Sequence, residues 1–151
     1  MLIESSSIPK FRDLSQSGDD VVALVPQRLY AVFDGATDAI GTVVDGDTPG
    51  RFAASAAARA MVQVVTSDQR GRLSVSELLE TMNHAIATGL ADAGAGQVRA
   101  GSTAALVEDL GDTLRFLIVG DSGIRLNGSE TFRFHKDVDL LYTAGRCAVF
   151  H

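Results

Sequence analysis

Asp19 and Asp20 stand immediately before an apolar run in "SGDDVVAL", Asp34 immediately after one in "YAVFDGA", and Asp121 after another in "LIVGDSG". A carboxylate buried alone is costly or takes up a proton, whereas several gathered at one rim of a sheet can share a divalent cation. Such hard oxygen donors select magnesium, manganese or calcium over zinc. His84, His135 and His151 are scattered and Cys147 is alone, so no zinc-type cluster competes. Gly35, directly after Asp34, lets the backbone turn sharply and bring a carbonyl or a water towards an ion. Singly, each of these acids reads equally well as a turn residue or a solvated charge. Their shared placement at strand boundaries sets them apart.

Those boundaries belong to a simple order of elements. Val21 to Val25 and Leu29 to Phe33 are β-rich runs separated by Pro26 and Gln27, which predicts an antiparallel hairpin. The stretch 39–50, rich in glycine, aspartate and threonine, reads as a loop and a candidate lid. Residues 51–66 place Phe52, Ala56, Ala60 and Val64 at helical spacing, with alanines that allow close approach to a sheet. Ser74 with Glu77 three residues on predicts a capping box for a second helix, whose face carries Leu78, Met82, Ile86 and Leu90. "STAALVEDL" and "TLRFLIVGD" follow as strands, and "GIRLNGSETFRF" as another hairpin around Asn127 and Gly128.

Two strands, two helices and four strands predict an α+β fold with antiparallel sheet and helices on one face, not a parallel winding. The 151 residues, 46% hydrophobic, fit one domain over residues 1–151. One face of such a sheet is left uncovered, and the apolar run at the end of the sequence lacks capping or turn chemistry. The expectation is therefore a domain incomplete at its C-terminus, its bare face covered by missing sequence, a partner subunit in a homo-oligomer, or both. A net charge of −6 argues against nucleic acid, and no apolar stretch is long enough for a membrane span. With one cysteine and no signal-like leader, the expected setting is the cytoplasm.

In order along the chain, "GDD", "VFDG", two helices, "GSTA" and "VGDS" resemble the landmarks of the type 2C (PPM) family of metal-dependent serine/threonine protein phosphatases. The resemblance covers residues 15–127 and implies the first part of a sandwich of two antiparallel sheets flanked by helices. It further implies that Asp34 bridges two metal ions, that the Gly35 carbonyl and Asp19 are metal ligands, and that Asp20 supports the metal shell. Asp121 corresponds to an additional metal site. Gly101, Ser102 and Thr103 correspond to the start of a strand, with no chemistry assigned. The implied cofactors are two or more Mn2+ or Mg2+ ions, the implied reaction attack of a metal-activated water on a phosphomonoester, and the implied partner a phosphorylated protein.

Several positions depart from that pattern. Ser15 stands where the family commonly has a phosphate-holding arginine, leaving Arg12 or Lys10 as substitutes, with Arg12 the candidate substrate-binding residue. Thr37 and Asp38 replace part of a glycine-rich motif, and Gly123 replaces an arginine. The downstream Ser-Asp-Gly and Asp-Asn motifs that complete the metal shell are not among these residues. A catalytically inactive binding or regulatory module is therefore the alternative. Two further readings are weaker. "GDSG" around Ser122 is a fragment of a serine-protease motif lacking its second glycine, and an amino-terminal nucleophile at Thr103 would require cleavage at the start of a strand.

Overall fold

The computed structural model describes residues 3–7, 18–36 and 41–133. Arg12, Lys10, Ser15, Thr37, Asp38, His135, Cys147 and His151 lie outside the described residues, as does part of the candidate lid. The elements are β1 (Val21–Val25), β2 (Leu29–Gly35), α1 (Pro49–Thr66), α2 (Val75–Asp92), β3 (Ser102–Asp109), β4 (Leu114–Val119), β5 (Gly123–Leu126) and β6 (Glu130–Arg133). The first four strands form one antiparallel sheet in the order β1-β2-β3-β4, and β5 and β6 form a separate hairpin.

The β1–β2 connection closes with Arg28 N donating to the Val25 carbonyl at 2.9 Å, while Gln27 takes a positive φ of 60°. Pro26 before it presets the first corner of that turn. The strand then runs past the boundary expected from the sequence. Asp34 and Gly35 pair with Thr103 and Ser102, so Asp34 sits within β2, not after it. The ladder can continue because glycine ends it and the aspartate faces away from the core.

Alternation along the strands gives the sheet two unlike faces. Leu29, Ala31 and Phe33 of β2, Ala104 and Leu106 of β3 and Leu117 of β4 are buried under the helices. Phe33, Leu29, Met61, Leu78 and Leu106 are almost fully enclosed. On the opposite face Val32 is 48% exposed, Leu24 39% and Leu114 46%. The β5–β6 hairpin begins a layer there, because Phe132 stacks on Phe116 with ring centroids 5.4 Å apart.

Helix α1 starts two residues before the expected position, within the stretch read as a loop. Thr48 is its N-cap and Pro49 occupies its first turn, where the missing N–H costs nothing and the fixed φ is already helical. Ala53, Ala54, Ala57 and Ala58 are buried together with the predicted stripe of Phe52, Ala56, Ala60 and Val64, so this helix is enclosed on most of its circumference. Alanine is what permits that enclosure. The capping box of α2 forms as expected, with Ser74 and Glu77 satisfying each other's backbone N–H, and Leu78, Met82 and Leu90 are buried.

Candidate metal centre

The register of the sheet carries all four aspartates to one end. Val21, which follows Asp20, pairs with Phe33, which precedes Asp34. Gly35 pairs with Ser102, and Ala104 pairs with Val119, two residues before Asp121. Three segments far apart in the chain thus terminate side by side.

Three of the acids are near enough to act on the fourth. The Asp34 carboxyl titrates above the usual carboxylate range, first because packing against the sheet partly removes it from water. A hydrogen bond with the Asp20 side chain adds to this, as do the charges of Asp20, Asp121 and Asp19 in that order. A carboxyl group crowded by like charges is relieved by taking up a proton or by a nearby cation. No cationic side chain contributes to relieving Asp34.

The tip of β2 is held by its neighbours. Ser102 Oγ donates to the Asp34 carbonyl at 3.0 Å, and Ala36 N donates to the Gly101 carbonyl at 2.9 Å. The backbone of Gly35 lies directly against that of Gly50 in the first turn of α1. A Cβ on Gly35 would fall 2.4 Å from the Gly50 carbonyl carbon, and one on Gly50 would fall 2.3 Å from the Ala36 oxygen. Neither obstacle is a movable side chain, so only glycine fits at either position. Near Asp121, Ser122 Oγ and Thr103 Oγ1 are 2.7 Å apart, and Gly120 takes a φ of +77° where a side chain would meet Thr103.

Asp19 and Asp20 precede the first ladder pair of β1 and are held from α1 instead. Thr48 Oγ1 donates to Asp19 Oδ1 at 2.5 Å, while Arg51 Nη1 donates to the carbonyls of Gly18 at 2.6 Å and Asp20 at 3.2 Å. Thr48 and Arg51 were not singled out by the sequence reading. A threonine followed by proline is itself an N-cap signal, and it could have moved the helix start to this position. Ser102 and Thr103, given no chemistry, prove to brace the backbone and the side chains beside Asp34 and Asp121.

Among the described residues, no three Asp, Glu, His or Cys side chains converge closely enough to enclose one ion. Magnesium commonly takes one or two carboxylates and fills its remaining positions with water. Carboxylate oxygens of this kind suit hard divalent ions, but the described side chains do not by themselves enclose one. The cleft between α2 and the sheet, bordered by Phe33, Leu79, Met82, Ile86 and Val119, contains no ionisable side chain and lies on the core face. Ser122, the residue a protease reading would need, has Thr103 as its partner, and His84 is exposed on α2 beside Thr88.

No protein-family model and no curated protein matches the chain. Among solved structures, the crystal structure of the Mycobacterium tuberculosis serine/threonine phosphatase PstP/Ppp is similar, with a TM-score of 0.62 at 23% sequence identity. The likeness covers 94% of this chain and 57% of that one, so the chain spans little more than half the neighbour's length. The architecture is a partial type 2C phosphatase fold, α+β with antiparallel sheets and two helices, as the sequence landmarks implied. Among the described residues no helix is long and apolar enough to cross a membrane.

Proposed function

We propose that the protein is a metal-dependent phosphomonoester hydrolase acting on phosphoserine or phosphothreonine in proteins, with two or more Mn2+ or Mg2+ ions as cofactors. The observation that carries this reading is the sheet register that brings Asp19, Asp20, Asp34 and Asp121 from separate segments to one sheet end, where partial burial first, and then its acidic neighbours, push the Asp34 carboxyl up. Uncompensated negative charge of that kind is what a divalent ion would offset. The shared fold with a serine/threonine phosphatase supports the choice of reaction.

In this reading Asp34, Asp19 and the Gly35 carbonyl would hold the ions, and Asp121 would hold an additional one. Asp20 orients Asp34 through their hydrogen bond. Arg12 is the candidate cation for the substrate phosphate. Bound ions supply the activated water and the positive charge that an in-line displacement at phosphorus needs. The braced tip of β2 would hold the Asp34 carboxylate in one direction for such ions.

The exposed sheet face fits a domain over residues 1–151 that is completed by further sequence or by a second copy. The acidic surface argues against nucleic acid as partner, and the setting we propose is the cytoplasm. Gly123, where the family pattern has an arginine, favours one second reading, an inactive phosphatase-like binding or regulatory module.

Hydrolysis of p-nitrophenyl phosphate by the full-length natural chain, with manganese and with chelator, separates the two. Manganese-dependent turnover that Asp34→Asn abolishes is expected. Turnover indifferent to chelator or to that substitution would refute the hydrolase, and a partner interaction that survives chelation with no turnover would favour the module.

A further inference from the structure

We infer that the first turn of α1 is a positioning device for the acidic segment, with Thr48 and Arg51 fixing the direction of Asp19 and Asp20 for metal binding. The inference rests on the metal-dependent reading above and assigns two residues that neither the landmarks nor the composition marked.

Gly18, Asp19 and Asp20 precede the β1 ladder, whose first pair is Val21 with Phe33, and among the described residues β1 is paired on only one side. The sheet therefore does not restrain them. Three hydrogen bonds from one helical turn do so, one to each successive residue: Arg51 Nη1 to the Gly18 carbonyl, Thr48 Oγ1 to Asp19 Oδ1, and Arg51 Nη1 to the Asp20 carbonyl.

Each donor is itself fixed. Thr48 Oγ1 accepts from Arg51 N at 3.1 Å, so its hydroxyl proton is left to point at Asp19. Arg51 Nε lies 3.5 Å from Asp47 Oδ1, which sets the guanidinium from the other side. The turn is in turn seated on β2 by the Gly35–Gly50 contact. Asp19 and Asp34 are thus referred to one rigid corner, although they come from different strands.

Thr48 engages Oδ1 of Asp19, so Oδ2 is the oxygen this arrangement would offer a metal ion. Because Arg51 binds main-chain carbonyls of the acidic segment, it can hold that segment without neutralising either carboxylate. A lysine, with no planar fork, reproduces such a clasp only in part.

The test is calorimetric titration of Mn2+ into the metal-free full chain, with thermal melts of the same metal-free samples. Partners of ligating groups affect metal affinity by about 10–100-fold. Thr48→Val and Arg51→Ala are expected to weaken Mn2+ binding by about tenfold, with Thr48→Ser restoring wild-type affinity and Arg51→Lys falling between. Wild-type affinity in both Thr48→Val and Arg51→Ala would overturn the inference while leaving the metal centre intact. Wild-type protein that takes up no Mn2+, or that binds it as well with Asp34→Asn, would instead remove the metal reading and this inference with it. If Arg51→Ala fails to fold, the Thr48→Val and Thr48→Ser pair decides: equal affinities overturn the assignment, and a tenfold difference sustains it.

Discussion

The two ends of the four-stranded sheet handle charge in opposite ways. At the end where β3 finishes and β4 starts, Glu108 is completely buried, accepts from Gly71 N at 2.9 Å and is paired with Arg115 through Nε at 2.9 Å and through Nη2. Arg115 also donates to the Leu73 carbonyl. Arg70 binds the carbonyls of Asp109 and Gln27, and Arg28 binds that of Val65. Each buried group there is matched, and among the described residues no buried side-chain nitrogen or oxygen lacks a hydrogen-bond partner. At the other end three aspartates gather around Asp34, and no cationic side chain is among the groups acting on it. One end closes its electrostatics within the chain and locks the α1–α2 connection to the sheet. The other leaves Asp34 among like charges.

The largest expected separation between the two ends comes from removing one acid at each. Asp34→Asn should lower manganese-dependent hydrolysis by at least about a thousandfold, about 4 kcal/mol in transition-state stabilisation. The same change should raise the melting temperature of the metal-free protein, because it deletes a repelled charge. Glu108→Ala should do the reverse. It strands the Arg115 guanidinium, at a cost of about 3 kcal/mol, the low end of the range because that side chain keeps 20% exposure. The melting temperature should fall by roughly 10 °C, with turnover per folded molecule retained. A loss of stability in both variants would erase the contrast.

Gly50→Ala tests whether the acidic end depends on its backbone seat. The added carbon would meet the Ala36 oxygen at 2.3 Å, and forcing α1 away should cost about 1–3 kcal/mol and weaken Mn2+ uptake as well. Alanine tolerated with both quantities unchanged would show that the close contact is dispensable.

The smallest effect is the pH dependence. Asp34 holds its proton more tightly folded than unfolded, so the native state binds the excess of protons between the two pKa values, and unfolding free energy falls as pH rises. This contribution is fully present below the unfolded pKa and is lost as pH climbs through the raised folded value. Thermal melts of the metal-free protein should show a decline from acid towards neutral pH that Asp34→Asn flattens and saturating Mn2+ removes. A decline of equal size in the variant would trace the effect to other groups.

Much of this contrast could be read from the sequence, but unevenly. Alternation marked the strands, Ser74 and Glu77 marked α2, and Asn127–Gly128 marked the last hairpin, because each signal lies within a few residues of what it determines. The convergence of Asp19, Asp34 and Asp121 was legible through their common position at strand ends. The first turn of α1 was not, since Thr48, Pro49 and Gly50 have the composition of a loop, and only the contact with Gly35 explains why a glycine belongs in a helix there. The stabilising end was also hidden. Arg70 reaches Asp109 across 39 positions and Arg28 reaches Val65 across 37, and a surface arginine and one seeking a distant carbonyl look alike in a sequence.

Asp34 shares its side of β2 with Val32 and Tyr30, two and four positions back along a strand whose side chains alternate. A slab of protein laid over Val32 would therefore reach the neighbourhood of the carboxylate. What is now an open ledge would become the wall of a trench, and the water reaching Asp34 would be rationed by the same layer that finishes the hydrophobic interior.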